Sequence, residues 1–197
     1  MNRPAGAPIR RRRQAVIEDV HRALEELILT VGAGNLSVVA LVDRAGITRT
    51  TFYRHWSSLD EVISQVLTGR FSEPEQVDTG SMLGDLTALQ QAEVAMLNDP
   101  LFRKVFPYLM QQVSDGGEAL STWGAGFVAP RRARVQAVFE RALTRGELRE
   151  MPDVGRVCDV LLGVLLPAVL LPGSRPLTQQ DAEWSARLAA IDAGAQI

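Results

Sequence analysis

The chain has 197 residues, 46% of them apolar, and a formal net charge of −2, which suits one domain or two small ones with buried cores. Its longest nearly uninterrupted apolar run, Val160 to Leu171, carries a proline and falls short of the roughly 18 to 20 residues that span a bilayer. A single cysteine, Cys158, excludes an internal disulfide framework and a cysteine-built zinc cage, and the amphipathic, acidic "VIEDVHRALEE" after the first arginines is unlike a signal peptide, so a cytoplasmic protein is expected.

The charge is unevenly divided. Residues 1–70 hold ten arginines against seven acids, +3, and residues 71–197 hold eleven basic groups against sixteen acids, −5. Arg3 and Arg10 to Arg13 precede any acid, and Pro4, Gly6 and Pro8 disfavour helix, so residues 1–13 read as a mobile basic arm. Such an arm is either a solvated tail or a contact to phosphates, where each neutralised charge releases counterions. From Gln14, Val16, Val20, Leu24, Leu27, Ile28 and Val31 recur at intervals of three and four and predict one amphipathic helix. Gly32 and Gly34 stop it, and Ser37 is placed to cap a second short helix through Val38, Leu41 and Val42 that ends at Arg44 to Gly46. Thr48 then caps a third helix, Arg49 to His55. The capping-box pair Ser58 and Glu61 opens a fourth through Val62, Val66 and Leu67.

A short helix, a three-residue turn containing glycine and a second short helix make a helix-turn-helix, whose second helix can enter a major groove. In "GITRTTFYRHW", Phe52 and Trp56 lie four apart and face a core. Arg49, Thr50, Tyr53 and Arg54 fall on the other side. Arginine can donate twice to guanine or pair with phosphate, threonine offers a hydroxyl and a methyl, and tyrosine reaches a phosphate oxygen. His55 can donate to a phosphate at the groove edge. The competing reading is an ordinary helical hairpin with a basic outer face.

Phe71 to Thr79, polar and proline-containing, reads as the joint to a second domain over residues 71–197. There Leu83 to Leu97 is amphipathic, Asp99 and Pro100 form a cap and first-turn pair, and Pro130 begins an arginine-rich helix that stops at Gly146. Asp153 caps an apolar helix from Val154 toward Leu171, and a last helix runs from Thr178 or Asp181 to about Ile191. Phe102, Phe106, Tyr108, Met110, Gln112, Trp123 and Phe127 can line an apolar ligand pocket, or be the ordinary core of the middle helices. An enzyme is disfavoured: His21 and His55 are the only histidines, and no phosphate-binding glycine loop, HExxH helix or GxSxG elbow occurs. No metal or cofactor site is expected.

The stretch "LSVVALVDRAGITRTTFYRHWSSLDEV", Leu36 to Val62, resembles the DNA-binding signature of the TetR/AcrR family of one-component transcriptional repressors, and "HRALEELILTVGAGN" before it resembles the family's first helix. The resemblance implies an all-α homodimer: an N-terminal domain of three to four helices, residues 14–70, that binds a palindromic duplex DNA operator, and a C-terminal helical domain that dimerises and releases the operator when a small, largely apolar molecule enters. It implies no membrane partner. Carried over by position, Ser37 and Thr51 become phosphate-contacting hydroxyls, Arg49 and Thr50 groove readers, and Tyr53 and His55 backbone anchors, with Thr48 and Arg54 beside them. Two departures stand out: Leu59 where a lysine usually opens the fourth helix, and Thr50 where a small residue is common. The segment Phe139 to Leu177, with its "RGELR", resembles the C-terminal domain of one subgroup, whose last two long helices form a four-helix bundle with their copies. In this chain that face would include Leu161, Leu162, Leu165, Val169, Trp184 and Leu188. The alternative is a DNA-binding factor without a ligand, governed by a corepressor or protein partner.

Overall fold

The computed structural model describes residues 7–71, 77–114, 123–171 and 173–195. Among them ten α-helices form and no strand: α1 (Ala7–Val31), α2 (Val38–Ala45), α3 (Arg49–His55), α4 (Leu59–Arg70), α5 (Met82–Asn98), α6 (Pro100–Ser114), α7 (Ala129–Thr144), α8 (Val154–Gly163), α9 (Pro167–Leu170) and α10 (Gln179–Asp192). They fall into two units. The first holds α1 to α4 and the part of α6 from Lys104 on. The second holds α5, the start of α6 up to Arg103, and α7 to α10.

In the first unit α1 begins at Ala7 rather than Gln14, so Arg10 to Arg13 are helical and not part of an arm. Pro8 does not prevent this, because the first turn of a helix has no use for its missing N–H. Residues 1–6, with Arg3, lie outside the described residues. Val20, Leu24 and Ile28 of α1 pack with Leu41 and Val42 of α2, Phe52 of α3, and Val62, Ile63, Val66 and Leu67 of α4, all buried. Gly32, at φ 82, turns the chain out of α1 into a short 3-10 turn, Ala33–Asn35. Glu61 departs from the expected capping box. Its amide donates to the Ser58 hydroxyl oxygen as a cap at 3.2 Å, but its carboxylate accepts from the amide and hydroxyl of Ser57, at 2.8 and 2.9 Å, not from the amide of Ser58.

The second unit is built on α5. Met82, Leu86 and Leu89 meet Val138 and Phe139 of α7, Val157 and Leu161 of α8, and Ala186 and Ala190 of α10. Ala182, Ser185, Ala186, Ala189 and Ala190 leave α10 with almost no side-chain bulk on one face, so it lies close against its neighbours. Gln90 uses that closeness, donating to the Leu161 carbonyl at 2.8 Å and to the Ser185 hydroxyl at 2.7 Å. Asp99 and Asp153 cap α6 and α8 as expected. The last helix, expected to start at Thr178 or Asp181, follows Thr178 as its N-cap, with Asp181 completing a capping box. The single apolar helix expected from Val154 to Leu171 is interrupted. Pro167 has no N–H for an i−4 carbonyl, the chain tightens through Leu165 and Leu166, both bonded to Leu162, and α9 restarts at the proline. A wider π-helical turn, Gly124–Val128, leads directly into α7.

Candidate nucleic-acid interface

The turn between α2 and α3 depends on one backbone conformation. Gly46 sits at φ 67, ψ 32, and from there its amide and that of Ile47 close onto the carbonyls of Asp43 and Val42 at 3.2 and 3.0 Å. A left-handed residue costs glycine nothing, so the two orphan carbonyls at the end of α2 are satisfied without strain. Thr48 follows in extended conformation and its hydroxyl accepts the Thr51 amide at 3.1 Å, which starts α3. Ser37 does the same for α2 through the Ala40 amide at 3.1 Å. Each hydroxyl spends a lone pair on its cap and keeps its proton to donate.

Period and burial then orient α3. Phe52 is fully buried and Trp56 nearly so, their rings 5.5 Å apart, and the Trp56 indole donates to Gln65 Oε1 at 2.8 Å. With that face fixed inward, Arg49, Thr50, Tyr53 and Arg54 are exposed. Tyr53 rests edge-on against Phe52, 5.3 Å between centroids, so an exposed phenol is carried on a rigid base. Thr51 is half-buried and its hydroxyl lies 3.0 Å from that of Thr48, turned toward its own cap. His55 closes the helix half-buried, 5.3 Å from the Trp56 ring. Burial, then the charges of Arg54 and Arg13, hold its proton affinity below that of an ordinary histidine. The hydroxyl, guanidinium, phenol and imidazole donors thus sit on a short helix whose other face is locked into a core, the arrangement that direct readout of a duplex needs.

The residues expected to line a ligand pocket divide between the units. Phe102, Trp123 and Phe127 come together in the second as a buried stack. Phe127 lies 3.9 Å from Trp123 and 6.4 Å from Phe102, with the Arg131 guanidinium 3.5 Å above its ring. Phe106, Tyr108, Met110 and Gln112 belong to the first unit, and there Tyr108 gives its hydroxyl proton to Asp60 of α4 at 2.7 Å. Burial and that carboxylate push the phenol's pKa well above its ordinary value. Within the second unit a cleft of about 540 Å³ runs along α5 and α7, with Leu89, Ala137 and Val138 as its floor and Arg134, Glu140 and Arg141 at its edge. None of the expected ligand residues lines it. Of the expected dimer face, Leu161 and Leu165 are turned into their own core, Val169 and Leu188 are half-buried, and Leu162 and Trp184 are exposed; Ile191, not anticipated, is exposed beside them in the pattern of α10. Among the described residues no cluster of His, Cys, Asp and Glu could hold a metal ion, and no helix is long and apolar enough to cross a membrane.

Comparison with known proteins agrees with this geometry. Residues 22–66 match the description "Bacterial regulatory proteins, tetR family", and residues 76–189 match "Tetracyclin repressor-like, C-terminal domain". The chain is 25% identical over 164 residues to the HTH-type transcriptional regulator YdeS of Bacillus subtilis, covering 79% of this chain and 81% of that protein. It is 26% identical over 153 residues to an HTH-type transcriptional regulator of Mycobacterium tuberculosis, covering 77% and 74%. In fold it is similar to a TetR transcriptional regulator from Agrobacterium tumefaciens, with a TM-score of 0.69 at 17% identity over 93% of this chain and 95% of that one. A TetR transcription regulator from Haloarcula marismortui gives 0.65 at 18% identity over 90% and 96%. With both halves matched in order and the recognition helix built as described, the chain belongs to the TetR family of non-enzymatic, helix-turn-helix DNA-binding transcriptional regulators.

Proposed function

We propose that this regulator is a homodimeric repressor that holds a partly palindromic operator through residues 14–70 of each protomer and lets it go when residues 71–197 take up a small, largely apolar molecule. One observation carries the DNA half of the reading: Arg49, Thr50, Tyr53 and Arg54 stand exposed on a helix whose opposite face, Phe52 and Trp56, is fixed in a core. Ser37 and Thr48 add hydroxyl protons at the two helix starts, and His55 adds an imidazole. A dimer places two such helices about one DNA turn apart, roughly 34 to 36 Å, in successive major grooves. Release then follows if the ligand favours a state with a different separation, a population shift driven by differential affinity.

Selection of binding sites from a random duplex pool tests this. The expected product is an inverted repeat with half-sites one turn apart; retention without enrichment of any sequence would overturn the operator reading. A second reading, a factor governed by a corepressor or protein partner instead of a ligand, is favoured by the aromatic stack, since Phe102, Trp123 and Phe127 fill one another's space. A ligand screen scored by release from the selected repeat separates the two.

A further inference from the structure

Arg131 of α7 is drawn into the second unit, its side chain only 20% exposed, and its guanidinium stands 3.5 Å above the centre of the Phe127 ring. Around it are the Glu93 carboxylate, 14% exposed, at 3.5 Å, the carbonyls of Phe71 and Phe127 at 3.1 and 3.2 Å, and the Met96 sulfur at 3.3 Å. Ring face, carboxylate, carbonyl and thioether are all electron-rich, and nothing in that set is peculiar to a guanidinium rather than another cation. Trp123 lies 3.9 Å from the Phe127 ring at 17°. Two neighbours this close to one ring centre must occupy opposite faces of it. Rings stacked so nearly face to face oppose each other through their quadrupoles, and a cation on the remaining face of Phe127 offsets that cost. The ring is carried on the π-helical turn Gly124–Val128, a rare widening of the helix that recurs at functional sites. A buried arginine–glutamate pair gives no more stability than apolar side chains of like size, so packing alone does not call for it.

We propose that Phe127, Trp123 and Glu93 form a binding site for an organic cation, and that the Arg131 guanidinium is its occupant in the free protein. The inference rests on the ligand-binding reading above and narrows it: the small, largely apolar effector carries a positive charge. An entering cation takes the face of Phe127 and the carboxylate of Glu93, while Arg131, on a flexible and partly exposed side chain, turns its head to water. One cation replaces another, so Glu93 is paired at both ends of the exchange. An uncharged molecule of the same shape would leave that carboxylate buried without a partner. Eviction also breaks the bond from Arg131 to the carbonyl of Phe71, the residue that follows α4. Because only molecules in which Arg131 has left can bind, the parent is weaker than a chain without that side chain by the fraction that is vacant.

N-methylpyridinium and toluene, alike in size and shape and different in charge, are titrated into the full-length protein. Binding is followed by calorimetry and by the proximity of the probe's methyl protons to the Trp123 indole. Arg131→Ala should bind N-methylpyridinium at least about tenfold more tightly than the parent, since the occupant is gone. It should prefer that probe to toluene by a similar factor and melt higher in its presence. Combining Arg131→Ala with Glu93→Gln should remove most of the preference, because the carboxylate that demanded a charge is gone. If Arg131→Ala does not fold, Arg131→Met keeps the stem, vacates only the head and takes its place in each comparison. A parent that gives no response at about a hundred times the concentration that half-saturates Arg131→Ala would make Arg131 a fixed part of the core and overturn the proposal. Equal affinity for the two probes, or a preference that survives Glu93→Gln, overturns it as well. Release of the selected repeat by an uncharged molecule, with N-methylpyridinium unbound, would leave the ligand reading standing and refute the cation site alone. A screen in which no molecule, charged or uncharged, releases the repeat removes both.

Discussion

Arg49 opens α3 exposed and without a carboxylate beside it, one turn from Tyr53. If it donates both bonds to guanine, its loss costs about 1 to 3 kcal/mol and only against sequences that present that base. Arg49→Ala is expected to weaken the selected repeat by roughly five- to a hundredfold and a scrambled duplex hardly at all; equal losses on both would make Arg49 a phosphate contact. The exposed positions of Arg49, Thr50, Tyr53 and Arg54 could be read from spacing alone, because burying Phe52 and Trp56 leaves those side chains nowhere else to go. Asp85 could not. Its fully buried carboxylate is held by the amide and hydroxyl of Thr79 at 2.6 and 2.8 Å and by Arg141, 56 positions away, at 3.1 Å, and nothing local in the sequence joins residues so far apart. Burial alone would raise the Asp85 pKa, but the Thr79 and Arg141 bonds outweigh it and hold the carboxyl below its ordinary range. A depressed folded-state pKa contributes stability that is complete above the unfolded value, about 3.9, and is lost as pH falls through the folded one. Asp85→Asn is therefore expected to cost about 3 kcal/mol at neutral pH, by removing one partner of a buried pair, and less below pH 4. Denaturant melts at both pH values check it, and an equal cost at both would mean the charge contributes nothing.

Among elements, the helix-turn-helix was legible because each boundary has a local cause: a cap at Ser37, a left-handed glycine at Gly46, a cap at Thr48. The end of the apolar helix was less so. Pro167 marks the interruption plainly, but the apolar run continues through it, and periodicity alone reads the run as one helix. The start of α1 was misplaced for the opposite reason, since Pro8 and the clustered arginines argue against a helix that forms regardless. Gly46 gives the cleanest test at this scale. A Cβ there would meet no atom within 4 Å, so Gly46→Ala pays only for the left-handed backbone. The expected loss is about 1 kcal/mol, seen as a lowered melting temperature with the helix content retained. A loss of several kcal/mol would show instead that the turn reorganises.

For the whole molecule the decisive question is what covers the outer face of α10. Trp184 is 50% exposed and Ile191 61%, seven positions apart on one helical stripe with Leu188 between them, and Leu162 of α8 is 38% exposed. Isolated apolar residues on a surface need no explanation, but a stripe led by a tryptophan marks a surface meant for contact. The opposite face of α10 is alanine and serine spent on its own core, so the stripe is free to meet a second copy. That separation was only half legible. The sequence pointed to apolar residues on these helices, yet Leu161 and Leu165, equally apolar, face inward, and only packing distinguishes them. If the stripe is the dimer contact, placing a carboxylate in it leaves a charge that neither protomer can solvate or pair. Trp184→Glu is expected to run as a monomer by sedimentation while keeping its helical circular dichroism, because a half-exposed side chain contributes little to its own core. Such a monomer would lose half its phosphate contacts. With about four contacts per protomer the log-log salt slope of duplex binding should fall from near −7 to near −3.5. A variant that remains dimeric would move the interface elsewhere, and a monomer that keeps the full slope would show that one recognition helix already engages all the phosphates the dimer does.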